Sequence, residues 1–383
     1  MKRFFIFISV IIVALLSGFL AYQILNSKPS EITNNDGFPS TDNTPKEPTN
    51  REKAEELLKT MTLEEKVGQI FLVRCNPETA LEDIEKYNIG GFILFYANIV
   101  NQTKESLAST LQSYQEASDI DLLIAIDEEG GTVNRLSWYQ EFRGVPFHSP
   151  QDLYNEGGYP LIESDTEEKA KLLKSLGINL NLAPVADIST NPYDFIYYRT
   201  FGKDAVETSK YVETVVKVMK EQNIGSTLKH FPGYGDNLDT HTGISIDERS
   251  YENFLEYDFL PFKAGIKAGA GSILVSHNIV KSMDENLPAS LSPKVNKIIR
   301  EELSFDGVVM TDDLQMDAIK EYIGDSSSAV LAVQAGNDLI IASDFELQIP
   351  SVIEAVKKGE ISEARINEAV LRVLTWKYEL NIL

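Results

Sequence analysis

The sequence predicts an α/β fold whose parallel strands close into a (β/α)8 barrel of the TIM type, a single domain preceded by an N-terminal hydrophobic segment. Three observations carry that prediction. Eight short apolar runs of strand length follow one another from residue 67 onward, with amphipathic helical stretches between them. The runs are almost continuously apolar rather than alternating, as strands covered on both faces must be. Asp127, Asp187, His230, His277 and Asp312 fall at the C-terminal ends of these runs, the face on which such barrels gather their chemistry. Periodicity by itself does not separate a closed barrel from a doubly wound open sheet, and the third observation favours closure.

In chain order, Lys2 and Arg3 precede an apolar run over 4–25, broken only by Ser9, Ser17, Gly18, Tyr22 and Gln23. About 20 apolar residues span a bilayer as a helix. A cut after Ala21 would place the bulky Phe19 where a small residue is needed. Residues 1–26 therefore read as an uncleaved transmembrane anchor, with a signal peptide as the alternative, and with the basic end cytoplasmic. Residues 27–50 are rich in Ser, Thr, Asn and Pro and hold too little apolar surface to fold, so they read as a linker. The folded domain, 51–383, starts near Arg51, with TMTLEEKVGQIF (60–71) supplying an N-cap and a helix start. The expected strands are VGQIFLV (67–73), GGFILF (90–95), LLIAID (122–127), NLNLAPVAD (179–187), STLKHF (226–231), SILVSH (272–277), GVVMTD (307–312) and DLIIAS (338–343). Helices are expected at 81–87, 104–117, 205–222 and 293–303, and a terminal amphipathic helix at 361–380 packing on the outside.

Composition narrows the function classes. The 383 residues carry a formal charge of −23 and 43% hydrophobic content, enough for a real core. No stripe of Lys and Arg is present to bind phosphate backbones, so nucleic acid is not an expected partner. Cys75 is the only cysteine, which rules out an intrachain disulfide and a cysteine-rich metal site and reads as a buried, inert thiol. HExxH and GxSxG are absent, so neither zinc-protease nor serine-hydrolase chemistry is supported, and no metal or other cofactor is expected.

Three segments concentrate polar groups where a barrel mouth would be. In KHFPGYGDNLDTH (229–241), His241 lies in a glycine-bearing loop with Asp239 two residues before it. An aspartate that fixes one imidazole tautomer is a recurring way to build a general acid/base. In GVVMTDDLQM (307–316), a strand runs directly into Asp312, placed to act as a carboxylate nucleophile, while Asp313 and Asp317 suit capping of the next helix. In AIDEEGGTVNRL (125–136), Gly130 and Gly131 allow a tight turn, and Asp127 and Arg135 can bond ligand hydroxyls. Each segment taken alone also fits a turn or a helix cap.

Together, over roughly residues 55 to 380, the three segments resemble glycoside hydrolase family 3, in its single-barrel β-N-acetylglucosaminidase branch. The resemblance rests on KHFPGxG at 229–235, Asp239-Thr240-His241, and VVMTDDLQM at 308–316. It implies that Asp312 is the nucleophile, that Asp239 and His241 form the acid/base pair, and that Asp127, Arg135, Arg199, Lys229 and His230 bind the sugar. The implied reaction is retaining hydrolysis of terminal N-acetylglucosamine from cell-wall-derived glycans, with a carbohydrate substrate and the membrane, through the N-terminal helix, as partners outside the cytoplasm. A phosphorylase or β-glucosidase of the same family, and a non-catalytic wall-sugar-binding protein, are the alternatives. The chain departs from the family pattern at Tyr234 and Thr132, and in a loop one residue shorter between Gly235 and Asp239.

Overall fold

Two helices open the domain, and the same local device starts both. The Thr49 side chain accepts from Glu52 N–H while the Glu52 carboxylate accepts from Thr49 N–H, and the helix Asn50–Thr60 follows. Thr62 and Glu65 repeat the box for Leu63–Gln69. Each box satisfies two of the N–H groups that a helix start leaves unpaired. In this computed structural model residues 47–237, 239–240, 243–323 and 327–383 are described. The expected membrane anchor, most of the linker, and His241 lie outside them. Among the described residues no helix is long and apolar enough to cross a membrane.

The second capping box corrects the first expected strand. Val67–Gln69 complete the helix Leu63–Gln69, and the strand begins only at Phe71. A short apolar run does not distinguish a strand from the buried end of a helix, and the box upstream decides the matter.

Counting barrel strands in chain order, β1 is Phe71–Arg74, β2 Gly91–Leu94, β3 Leu123–Ile126, β4 Leu180–Asn181, β5 Gly225–Phe231, β6 Ser272–Val275, β7 Val308–Thr311 and β8 Ile340–Ala342. All neighbours pair in parallel, and β1 pairs with β8 through Phe71 and Ile340, so the first and last strands meet. A parallel bridge between Met310 and Leu339 joins β7 to β8 and completes the ring. An open doubly wound sheet would have left two edges, so the barrel is the observed solution.

The core has two layers, as strand alternation requires. Leu72, Ile93, Leu123, Ala125, Leu180, Leu274, Met310 and Ile341 fill the barrel interior, while Phe71, Val73, Ile124 and Ile126 face the surrounding helices. The terminal helix Glu363–Glu379 does more than cover the outside, as expected of it. Val373 and Trp376 join the interior cluster, and Trp376 lies against Gly225 and Gly271 at the N-terminal ends of β5 and β6. The helix thus closes the barrel floor, and Gly271 is required there because any Cβ would fall 2.0 Å from Trp376 Nε1. On this floor Lys377 is fully buried with its Nζ 2.7 Å from Gln69 Oε1. Cys75, just beyond β1, is buried, and desolvation pushes its thiol up to about 12, in line with an inert role.

Candidate active site

The mouth of the barrel is organised around β5. Lys229 and His230 directly precede its last residue, Phe231, and both side chains are almost fully buried. A buried lysine that stays charged requires counter-charge. Lys229 Nζ has two: Asp127 Oδ1 at 2.7 Å, directly after β3, and Glu129 Oε1 at 2.6 Å. Glu129 also takes a forked pair from Arg199, with Nη2 at 2.7 Å and Nε at 3.0 Å. Burial alone would raise the Glu129 carboxyl, but Arg199 and Lys229 outweigh it and hold the group far below the usual carboxylate range.

From Arg199 the chain of contacts continues to His230. Arg199 Nη2 lies 3.1 Å from His230 Nε2, and a guanidinium only donates, so Nε2 is the acceptor. The other ring nitrogen, Nδ1, then donates to Asp187 Oδ2 at 2.7 Å. Asp187 also accepts from the backbone N–H of His230 and of Tyr234. Although burial acts to raise it, His230 and these N–H groups keep Asp187 below its ordinary value. Asp127, Lys229, Glu129, Arg199, His230 and Asp187 thus form one continuous polar network across three strand ends and the short 3-10 turn Tyr197–Arg199.

The acidic triplet at 127–129 divides its labour. Glu128, fully buried, accepts from the backbone N–H of Arg135, Leu136 and Ser137 and from the Ser137 hydroxyl, and so folds the loop that carries Arg135. Arg135 Nη2 reaches to 3.8 Å from Asp127 Oδ2, and its guanidinium lies over the Phe95 ring. Its Nε–H is buried and has no acceptor among the described residues. Gly130 and Gly131 adopt positive φ, as the expected tight turn requires.

Across the mouth, Asp312 directly follows β7, with its N–H bonded to Val275 O and its Oδ1 accepting from Asp313 N–H. Asp313 turns away from the mouth: its carboxylate accepts from Gln315 N–H, Ser343 N–H and the Ser343 hydroxyl. His277 is also structural, with Nδ1 bonded to Ser290 Oγ and Nε2 donating to the Asp313 carbonyl.

The loop after β5 is anchored at its base by Arg249. This side chain bonds Asp247, Asp258 and the Gly233 carbonyl, and lies over the Phe254 ring. Two glycines let it approach: a Cβ on Gly233 would fall 2.4 Å from Asp258 Oδ1, and one on Gly235 2.5 Å from Arg249 Nη1, and both positions have positive φ. Asp258 is raised to about 6, chiefly by burial, with Asp187 and Asp247 adding to the effect and Arg249 opposing it. Higher in the loop, the Tyr234 hydroxyl lies 2.6 Å from Thr240 Oγ1. Asp239 precedes Thr240, and His241, which follows it, lies outside the described residues.

The structure therefore brings Asp127, Arg135, Arg199, Lys229 and His230 into one network and sets Asp312 across the mouth, at the end of β7. Sequence reasoning missed Glu129 as the central counter-charge, left Asp187 without a role, and missed the Arg249 clamp. The signal available for Glu129 was the presence of a lysine and an arginine that barrel geometry would bury.

Comparison with known proteins agrees with this geometry. Residues 62–376 match the model of the glycosyl hydrolase family 3 N-terminal domain. Beta-hexosaminidase A of Pseudoalteromonas piscicida is 30% identical over 332 residues, covering 79% of this chain and 56% of that one, so the chain spans little more than half of that relative. A glycoside hydrolase family 3 beta-N-acetylglucosaminidase from a Paenibacillus species superposes with a TM-score of 0.79 at 31% identity, over 84% of this chain and 63% of that one. The beta-N-acetylhexosaminidase of Beutenbergia cavernae gives a TM-score of 0.73 at 26% identity, over 82% of this chain and 98% of that one. With a family model spanning most of its length and a barrel whose mouth gathers the motif residues, the chain belongs to glycosyl hydrolase family 3.

Proposed function

We propose that the protein is a retaining exo-β-N-acetylglucosaminidase. The observation that carries this reading is the buried polar network from Asp127 to Asp187, which holds fixed donors and acceptors at the barrel mouth, on the same C-terminal face as Asp312. Such a network suits a neutral, hydroxyl-rich ring, because each partner is already oriented and little reorganisation accompanies binding. The names of two similar proteins, beta-hexosaminidase A and beta-N-acetylglucosaminidase, support an N-acetylated sugar.

In the first step an Asp312 oxygen forms an ester bond to the anomeric carbon as the bond to the departing oxygen breaks. His241, oriented by Asp239, delivers a proton to that oxygen. In the second step His241 takes a proton from water, which attacks the anomeric carbon and releases Asp312 as a carboxylate. Two displacements at one carbon retain its configuration. The apolar run at 4–25 supports a further part of the proposal, that the enzyme is tethered at the outer face of the cell membrane and trims cell-wall-derived glycans.

The test is hydrolysis of an aryl N-acetyl-β-glucosaminide by the purified domain, with the aryl β-glucoside and added inorganic phosphate as comparison arms. Release from the N-acetylated substrate, independent of phosphate, is expected. Turnover of the glucoside alone would overturn the specificity, and a phosphate requirement would overturn hydrolysis.

A further inference from the structure

Tyr234 occupies the junction between the sugar-binding network and the loop that carries Asp239. Its side chain is 1% exposed, and Thr240, its hydroxyl partner at 2.6 Å, is fully buried. A buried tyrosine hydroxyl must find a partner, and many would serve. Here the partner is the residue between Asp239 and His241.

Three contacts leave Tyr234 little freedom. Its backbone N–H donates to Asp187 Oδ1 at 2.8 Å, the same carboxylate that holds His230. Its ring lies edge-on between His230, with centroids 5.1 Å apart, and Phe195, at 4.9 Å. The glycines on either side are packed against Asp258 and Arg249. Three residues further on, Asn237 Nδ2 bonds both the Tyr234 carbonyl and Asp247. A rigid ring thus extends from the network to the buried hydroxyl of Thr240.

We propose that Tyr234 is a positioning residue for proton transfer: its hydroxyl fixes Thr240, the residue between Asp239 and His241 in the sequence, relative to the sugar-binding network. This rests on the reading of Asp239 and His241 as the acid/base pair. Burial, and next the nearby charge of Asp312, raise the Tyr234 hydroxyl well above its ordinary range, so it stays protonated throughout the working pH range.

The experiment compares kcat/KM on phenyl and dinitrophenyl N-acetyl-β-glucosaminides, because only the poor phenol leaving group needs a well-placed acid. The proteins are the wild type, Tyr234→Phe, Thr240→Val, the double variant, Thr240→Ser, and His241→Ala as reference. Tyr234→Phe is expected to slow the phenyl substrate roughly five- to tenfold, the worth of one hydrogen bond, and to leave the dinitrophenyl substrate within about twofold. Thr240→Val should act alike, the double variant should be no worse than either single one, and Thr240→Ser should retain activity. Equal losses on both substrates, or losses that multiply in the double variant, would overturn the proposal. If Tyr234→Phe does not fold, Thr240→Val tests the same bond from its other end. If His241→Ala separates the substrates and neither hydroxyl variant does, the positioning role alone is wrong. If His241→Ala does not separate them, the acid/base reading is wrong and the proposal goes with it.

Discussion

Two parts of the site leave the barrel from the same strand and are held in different ways. Lys229 and His230, on β5 itself, are fixed by charge: each is buried, and each is tied through Glu129, Arg199 or Asp187 to other strand ends. The loop that begins at Gly233 is fixed by glycine-enabled close packing, the Arg249 clamp and the bond from Tyr234 to Thr240. On the proposed mechanism, the difference teaches that binding and proton transfer are mounted separately. The part proposed to grip the ring is locked before substrate arrives, whereas Asp239 and Thr240 ride on a segment whose placement depends on a few replaceable contacts.

Breaking the charged part should cost most. Glu129→Gln leaves Lys229 and Arg199 short of a buried counter-charge, and a loss of roughly 3–5 kcal/mol in unfolding free energy is expected, read by denaturant titration. The same network sets the acid limit. Glu129 and Asp187 have folded-state values below their unfolded ones, so their contribution is full above the unfolded value and is lost as pH falls toward the folded one. Stability of the wild type should therefore fall steadily below about pH 4, and the fall should be shallower in Glu129→Gln. A variant with wild-type stability and acid profile would remove the claim that charge locks this half.

The barrel floor supplies a control distant from both parts. Burial, opposed by Asp121, lowers Lys377 from 10.5 to about 7. The unfolded chain then binds more protons than the folded one between those values, so stability should rise with pH across that window. Lys377→Met should abolish the rise and gain up to roughly 4 kcal/mol at neutral pH without altering kcat. A rise that persists in the variant would assign it to another group.

Much of this arrangement was legible in the sequence because a polar residue ending an apolar run is conspicuous. Asp127, Lys229, His230 and Asp312 all carry that mark, and all lie at the mouth. Glu129 was obscured by its neighbours, since three consecutive acids give no indication of which one is buried with cations. The Arg249 to Asp258 pair joins residues across a turn and a helix start, a contact that no strand or helix periodicity encodes. Val67–Gln69 and Trp376 show the same limit in the core, where apolar character does not say which layer a side chain will fill.

Smaller effects should sharpen the contrast. Arg249→Lys keeps the charge and loses the fork to Asp247 and Asp258, and should cost about 1–2 kcal/mol while lowering kcat more than it raises KM. An effect confined to KM would place the clamp with binding instead. Arg135→Ala removes a side chain that is one-third exposed and lies 3.8 Å from the Asp127 carboxylate. It should raise KM by roughly threefold to tenfold with little change in melting temperature.

The account turns on Asp312 as the group that becomes covalently attached to the sugar. Incubation with a slow fluorinated N-acetylglucosaminyl substrate, followed by proteolysis and mass spectrometry, addresses this directly. A single adduct is predicted on the peptide containing VVMTDDLQM, with fragmentation assigning it to Asp312 and no adduct in Asp312→Asn. An adduct on Asp313 or Asp239, or turnover with inverted anomeric configuration and no adduct, would contradict it.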